Sequence, residues 1–306
     1  VRVPVGSSTQ DVSGRIDRVA NIMRLRFSPA SVSIPRPGFV NFRLLDAHNP
    51  LDEEQIPPAP AIGRSFAHPC PLGVDEQGAP LSVSLYGRSL LIGGSPGSGK
   101  SVAAWNVLLH AAADPATVLL VCDLKPHGIE TAPLHQRANV VATTPAACLS
   151  AFRQVLSTID ARNLSLLTYE DSPLEKTNPD LGDIGAPIVI FVDEAAELSY
   201  TDDGKQALEM LQRIVAIGRS AGVCVILCTQ KPSGTIIPTS LRDLMGYRMA
   251  FMTGSRAQSV VILGEEGLQQ GAEPQAIPVE SPGLGFCDVS GKVQAFKGYN
   301  WDRELI

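Results

Sequence analysis

Eight consecutive residues, Gly94-Ser95-Pro96-Gly97-Ser98-Gly99-Lys100-Ser101, carry the glycines, lysine and hydroxyl of a phosphate-binding loop at its required spacing. An apolar run, Ser89 to Gly93, precedes them, and an Ala/Leu-rich helical stretch follows, which is the strand–loop–helix setting such a loop needs. Glycines let the backbone curl into a nest of N–H groups facing phosphate oxygens, and the helix starting near Ser101 adds the positive end of its dipole. Lys100 is expected to neutralise the β- and γ-phosphates of ATP, and Ser101 to supply one oxygen to Mg²⁺. Residues Gly94 to Ser101 and the following Val102 form the expected cofactor-binding stretch.

A triphosphate site of this kind needs carboxylates on a neighbouring strand. Ile188-Val189-Ile190-Phe191-Val192 is an unbroken apolar run ending in Asp193-Glu194, so it reads as a buried parallel strand with two acids at its carboxyl end. Asp193 is expected to hold Mg²⁺ through a water and Glu194 to polarise the attacking water as general base. An Asp-Glu pair also suits a helix N-terminus, but ninety residues downstream of a phosphate loop the catalytic reading prevails. Glu197 is expected to face solvent. The strand Val223 to Cys228 ends in Thr229-Gln230-Lys231-Pro232, which places Gln230 beside Asp193 as a sensor of the γ-phosphate. Arg219, in Ile217-Gly218-Arg219-Ser220-Ala221-Gly222, either complements a helix C-terminus or reaches a neighbouring subunit's nucleotide as an arginine finger.

The elements that must position these groups alternate along the chain. Strands are expected at Leu90–Gly93, Val118–Cys122, Val140–Ala142, Ile188–Val192, Val223–Cys228 and Arg248–Met252, with a closing pair near Gly285–Asp288 and Val293–Lys297. Helices are expected near Ser101–Ala113, Pro145–Leu167, Gly204–Ala221, Leu241–Gly246 and Ser255–Leu263, with Thr144-Pro145 and Ser255 as start signals and Gly222 as a stop. This is an α/β fold, a doubly wound P-loop sheet. Residues 71–306 are assigned to it, residues 49–70 to a proline- and acid-rich linker or strap, and residues 1–48 to a small β-α-β-β accessory module. That module comprises a strand at Val1–Val5, a helix from about Gln10 to Arg26, and strands at Val32–Ile34 and Phe39–Leu45. Pro71 to Val83 reads as a hairpin lining the entry to the site, and Leu167 to Ala186 as a long polar loop.

With 306 residues the chain can bury a large core, and none of its apolar runs approaches the roughly twenty residues of a membrane helix. It begins with Val1 and lacks a signal-peptide pattern, so a piece of a longer protein is expected. Six cysteines without a Cys-x-x-Cys pair read as reduced core residues, and five histidines offer no metal spacing. A net charge of −6 argues against coating nucleic acid by bulk electrostatics. Seven basic residues (Lys205, Arg213, Arg219, Lys231, Arg242, Arg248 and Arg256) nevertheless cluster between 205 and 256, either as a solvated helix face or as a polyanion contact.

Several stretches taken together resemble the FtsK/SpoIIIE DNA-translocase motors. They are Gly94–Ser101, Asp123-Leu124-Lys125, Ile190-Phe191-Val192-Asp193-Glu194, Arg213-Ile214 with Gly218-Arg219-Ser220-Ala221-Gly222, and Thr229-Gln230-Lys231-Pro232-Ser233. Thr239-x-Leu241-Arg242-Asp243-Leu244 and Gln258-Ser259 with Ile262-Leu263-Gly264 most resemble the actinobacterial plasmid-transfer branch, the TraB-type translocases. The resemblance covers about Pro71 to Ile306. It implies a RecA-like motor that works as a hexameric ring around double-stranded DNA. Lys100, Ser101, Asp193, Glu194 and Gln230 would build one side of each site, and Arg219 would come from the neighbour. It also implies a full-length protein anchored at the cytoplasmic face of the membrane by a segment not in this sequence. One departure stands out: Gln258-Ser259-Val260 replaces the family's Asp-Ser-Arg triplet, leaving Arg256 as the nearby cation. The type VII secretion ATPases share this core, so protein export is the alternative function, and a non-catalytic scaffold is disfavoured by the complete Lys100, Asp193 and Glu194 set.

Overall fold

Strands whose residues are apolar at every position have no polar face to give to solvent, and they take the centre of a sheet covered on both sides. The computed structural model describes residues 15–16, 18–20, 22–23, 26–27, 33–36, 39–41, 44–45, 49–55, 63–125, 128–167 and 185–300. In chain order the strands of the main sheet are β1 (Cys70–Asp75), β2 (Pro80–Val83), β3 (Leu90–Gly93), β4 (Val118–Cys122), β5 (Val140–Ala142), β6 (Ile188–Val192), β7 (Val223–Thr229), β8 (Tyr247–Phe251), β9 (Leu284–Val289) and β10 (Lys292–Gly298). The helices are α1 (Lys100–Ala113), α2 (Pro145–Leu167), α3 (Ala195–Leu198), α4 (Asp202–Ile217), α5 (Thr239–Arg242) and α6 (Arg256–Gln269).

The ten strands form one sheet in the order β2-β1-β10-β9-β8-β3-β7-β6-β4-β5. From β8 to β5 every pairing is parallel, with Ile190 opposite both Leu120 and Val225, and Leu90 opposite Ile226. The pairings from β8 through β9, β10 and β1 to β2 are antiparallel. Because β3 lies between β7 and β8, the chain leaves it in one direction and returns on its other side. That reversal opens a crevice at the carboxyl ends of the strands, where α/β folds place their ligands.

Alternation along the strands sorts the core into two layers. Leu91, Leu120, Ile190, Val192, Val225 and Leu227 face α2 and α4 through Phe152, Ile159, Leu211 and Ile214. Leu90, Ile92, Val121, Val189, Phe191 and Ile226 face α1 through Ala103, Ala104, Val107 and Leu108. Phe191 is 1% exposed, and its truncation to alanine is expected to cost about 3–5 kcal/mol.

Strand positions match the expectation to within a residue at each end, and the hairpin at Pro71 to Val83 is present as β1 and β2. It does more than line an entry, because β1 pairs with β10 and extends the sheet. Three helices differ. The one expected at Gly204–Ala221 ends at Ile217 and tightens into a 3₁₀ turn, Gly218–Ala221, capped by Gly222 in the left-handed region. The one near Leu241–Gly246 is the single turn Thr239–Arg242. The one at Ser255–Leu263 continues to Gln269 through a break at Gly264. Within residues 1–48, residues 15, 16, 18–20 and 22 are helical, and Ser33–Arg36 pairs with Phe39–Asn41. The helix expected to reach Arg26 stops short, since Arg26–Phe27 is held in a ladder with Leu44–Leu45. The strand expected at Val1–Val5, most of the loop from 167 to 186 and the stretch after Asn300 lie outside the described residues. Among the described residues no helix is long and apolar enough to cross a membrane.

Candidate functional site

The site is assembled where β3, β6 and β7 end side by side. The loop after β3 is pinned from both neighbours: Gly94 N donates to Thr229 O (3.3 Å) and Ser95 N to Met252 O (2.7 Å). Gly97 has φ +77°, and nothing lies within 4 Å of where its Cβ would stand, so the loop's tip encloses open space. Gly99 caps α1 with φ +98°, and a Cβ there would overlap the backbone of Gly283. Only glycine meets both demands at 99. Pro96 is exposed at the tip, and Ser101 and Val102 are half-buried in the first turn of α1.

Lys100 is 3% exposed, and its Nζ has no hydrogen-bond partner among the described residues. An ammonium taken out of water without a partner is costly, so its position implies an anion in the cradle. Ser98 Oγ is likewise buried and unpaired. This is the fit expected of a triphosphate group.

Asp193, at the carboxyl end of β6, is 2% exposed, and its Oδ2 lies 3.0 Å from Lys125 Nζ. Lys125 also meets Glu130 Oε1 at 2.9 Å. Burial pushes the Asp193 carboxyl above its ordinary value, opposed by nearby Lys100 and Lys125. Burial works to lower Lys125, but the carboxylates of Glu130 and Asp193 hold its ammonium above the ordinary lysine value. Ser101, Trp105, Glu130, Thr131 and Asp193 line a narrow recess beside the loop. A hydroxyl and a carboxylate there are the oxygen donors Mg²⁺ prefers, and Lys125 holds the charge position opposite Asp193 that a divalent cation would share.

Glu194 is 6% exposed and held by three donors. Its Oε1 accepts from Thr229 Oγ1 (2.8 Å) and Ala196 N (3.3 Å), and its Oε2 from Gln230 N (2.9 Å). It therefore caps α3 and is tied to the end of β7 at once. Oε2 keeps a lone pair for a further donor. Gln230 is half-buried next to it, and Glu197 is exposed as expected.

The structure brings together Lys100, Ser101, Asp193, Glu194 and Gln230, and it leaves Arg219 out. Arg219 is exposed in the 3₁₀ turn before β7, against Gly87 and at the opposite end of that strand from Gln230. Seven residues of strand separate the two ends by roughly 20 Å, so Arg219 does not reach this chain's own phosphate loop. Four of the seven residues of the basic run are paired with acids. Lys205 pairs with Asp202, Arg242 with Asp243, Arg248 with Asp288 and Arg256 with Glu265, leaving Arg213, Arg219 and Lys231 exposed. Arg256, the cation near Gln258-Ser259-Val260, is thus engaged by Glu265.

Sequence reasoning did not assign Lys125 or Thr229 to the site. The available signal was the Asp123-Leu124-Lys125 triplet at the end of β4, a strand directly beside β6. Asp123, fully buried, accepts from Thr131 N and Thr131 Oγ1, both at 2.9 Å, and so folds the β4 loop back to carry Glu130 and Lys125 towards Asp193.

Comparison with known proteins finds similarity in sequence and in fold. The family model of the helicase HerA-like C-terminal region matches residues 165–257. The DNA translocase FtsK of Treponema pallidum is 27% identical over 285 residues, which is 87% of this chain and 35% of that protein. FtsK of Helicobacter pylori strain J99 is 28% identical over 207 residues, 65% of this chain and 24% of that protein. The chain thus spans about a third or less of these curated relatives. Among solved structures, the monomer form of the pCW3 conjugation coupling protein TcpA with ATPγS superposes with a TM-score of 0.72 at 15% identity, covering 97% of this chain and 84% of that one. The cytoplasmic domain of the type VII secretion ATPase EccC of Thermomonospora curvata superposes at 0.59 with 21% identity, covering 84% and 32%. The chain resembles the FtsK DNA translocases in sequence and has the α/β fold of P-loop ATPases.

Proposed function

We propose that this chain is the ATP-hydrolysing motor of a double-stranded DNA translocase, working as a hexameric ring in conjugative or chromosomal DNA transfer. The observation that carries the reading is the buried, unpaired Lys100 Nζ in a glycine nest directly beside the two acids that end β6. Sequence similarity to FtsK along 87% of the chain supports DNA as the track.

In this reading the N–H groups of the loop and Lys100 bind the triphosphate. Ser101 and Asp193 are the residues that would hold Mg²⁺, which supplies positive charge to the phosphate oxygens when bound. Glu194 uses its remaining lone pair on Oε2 to take the proton of the attacking water. Because the same oxygen accepts from Gln230 N, any shift at the end of β7 moves the base. Gln230 then couples the state of the γ-phosphate to the position of Glu194. Arg219, too far to act at its own site, serves the nucleotide of the next subunit. Residues 1–48 form a separate accessory module joined by the strap to the motor at 71–306, and the full-length protein is membrane-anchored outside this sequence.

Steady-state ATP hydrolysis with and without long double-stranded DNA, across a salt series and with Lys100→Ala as the blank, tests this. Stimulation that fades with rising salt is the expected result, because phosphate contacts release counterions. Hydrolysis absent from the chain, or equal in Lys100→Ala, overturns the ATPase assignment. Robust hydrolysis indifferent to DNA overturns the DNA track and favours protein export, which at present rests on likeness of fold.

A further inference from the structure

We propose that the cavity between the strap at Asn49–Gln55 and the end of β10 is the nucleoside pocket, so that the strap ahead of the motor is part of the nucleotide site. The inference rests on the phosphate-loop reading above and extends it to the base and sugar.

The first turn of α1 has two flanks. On one, Ser101, Glu130 and Asp193 close a recess too tight for a nucleoside. On the other, Gly99, Val102 and Ala103 border a cavity of about 440 Å³ whose far walls are Asp52 and Glu54 of the strap and Tyr299. That volume holds a purine nucleoside with room for water. A triphosphate seated in the nest must direct its nucleoside to one flank or the other, and among the described residues the second is the flank with space.

The lining matches such a ligand in chemistry. Ala103, Pro282, Gly283 and Gly298 present small, flat surface suited to the face of an aromatic ring. The charged groups are carboxylates, Asp52, Glu54 and Glu280, against Lys297, whose Nζ donates to Pro282 O at 2.9 Å. An acidic lining repels phosphate and offers acceptors to donors such as ribose hydroxyls and an exocyclic amine. A cationic cradle opening into an anionic cavity therefore fixes which end of the nucleotide goes where.

The strap is also bonded to the elements that carry the phosphate loop. Asn300 N donates to Gln55 O (2.7 Å), and Gln55 bridges Tyr299. Asn106 Nδ2, 3% exposed on α1, donates to Tyr299 O (3.1 Å). Gln55 Nε2 donates to Pro50 O (2.8 Å), and buried Leu51 anchors the strap's turn. A line of contacts thus runs from α1 through Tyr299 to the strap. Ligand filling the cavity would order the segment that leads to the N-terminal module.

The test compares binding of Mg·ATP with that of inorganic tripolyphosphate, which has the phosphates and no nucleoside. In the wild-type chain ATP is expected to bind at least tenfold tighter. In Asp52→Ala/Glu280→Ala, two exposed positions, ATP affinity is expected to fall severalfold while tripolyphosphate affinity stays unchanged. Hydrogen exchange in the wild-type chain is expected to slow at residues 49–55 with ATP and not with tripolyphosphate. Equal affinity for the two ligands, or exchange at 49–55 unmoved by ATP, overturns the pocket while leaving the phosphate loop intact. Failure of both ligands to bind, or binding of both undiminished in Lys100→Ala, instead overturns the phosphate-loop reading on which the pocket depends.

Discussion

At the carboxyl edge of the parallel strands Lys100 Nζ and Ser98 Oγ are buried without partners, and Asp193 Oδ2 has its ion pair with Lys125 and no further partner among the described residues. At the amino edge of the same strands comparable groups are bonded. Asp114 accepts from Phe66 N (2.8 Å), Ala116 N (2.9 Å) and Thr117 Oγ1 (3.2 Å). Arg137 donates to the carbonyls of Ala112, Asp114 and Thr117, Arg162 to those of Ala221 and Ala186, and Val225 N donates to Ser89 Oγ. Among the described residues Tyr86 Oη, an uncharged hydroxyl, is the unpaired exception there. Native proteins satisfy buried polar groups unless a ligand or a reaction needs them. The amino edge is thus built for stability, and the carboxyl edge holds unsatisfied charge in readiness for a ligand.

Arg219 is the residue that would break this division, since it sits at the amino edge and is proposed to act in catalysis. Arg219→Ala is expected to leave ATP affinity intact and to lower turnover by about 10³–10⁵-fold, the range for an arginine finger. Mixed rings pairing it with Lys100→Ala should recover activity, because some interfaces then combine an intact arginine with an intact loop. Turnover near the wild-type rate, or no recovery on mixing, would return Arg219 to the stabilising edge as an ordinary helix-end cation. Glu194→Gln sharpens the other side of the comparison. Turnover should fall about 10²–10⁴-fold with nucleotide binding retained. The new amide also sets an N–H donor against Gln230 N, so a modest drop in melting temperature should accompany it. A near-normal kcat would place the base elsewhere.

The carboxyl edge was legible in the sequence because its chemistry is local. Eight contiguous residues make the nest, and Asp193-Glu194 end a strand whose apolar run announces itself. Neighbours brought in by tertiary structure were not legible. Lys125 reaches Asp193 only because β4 lies beside β6 and Thr131 ties its loop to Asp123. Thr229 reads as an ordinary strand terminus until β7 is known to end beside Glu194. The sheet's antiparallel half escaped for a similar reason: hairpins β1–β2 and β9–β10 are each apparent alone, but nothing in either sequence names the other as its partner. The amino edge was the least legible, since Asp114, Arg137 and Arg162 satisfy backbone groups far away in the chain. The basic run from Lys205 to Arg256 fits either a solvated face or a polyanion contact in sequence, and its pairing is a tertiary matter. Three of its charges pair with acids within ten residues, and Arg248 pairs with distant Asp288.

Asp114 tests whether the amino edge acts on stability alone. In Asp114→Ala, the N–H groups of Phe66 and Ala116 and the hydroxyl of Thr117 lose their acceptor in a site only 6% exposed. The expected cost is about 3 kcal/mol in unfolding free energy, read by urea titration. Turnover per folded molecule should be unchanged, because the side chain lies at the far end of α1 from Lys100. A parallel loss of kcat would show that the two edges are mechanically linked through that helix.

His110, one turn before Asp114, gives the smallest effect and the finest test. Its Nε2 lies 3.0 Å from His68 O and 3.4 Å from Phe66 O, so that nitrogen must carry the proton and donate. Burial pushes the imidazole's pKa below its ordinary value, with Arg64 and His68 acting in the same direction against the two carbonyls. The unfolded chain therefore binds a proton at this residue before the folded one does, and stability falls as the pH drops through about 6.5, the ordinary histidine value. Between pH 7.5 and 5.5 the wild-type chain should lose more melting temperature than His110→Gln, whose amide can donate to the same carbonyls and does not titrate. If both lose equally, the acid sensitivity of the amino edge comes from another group.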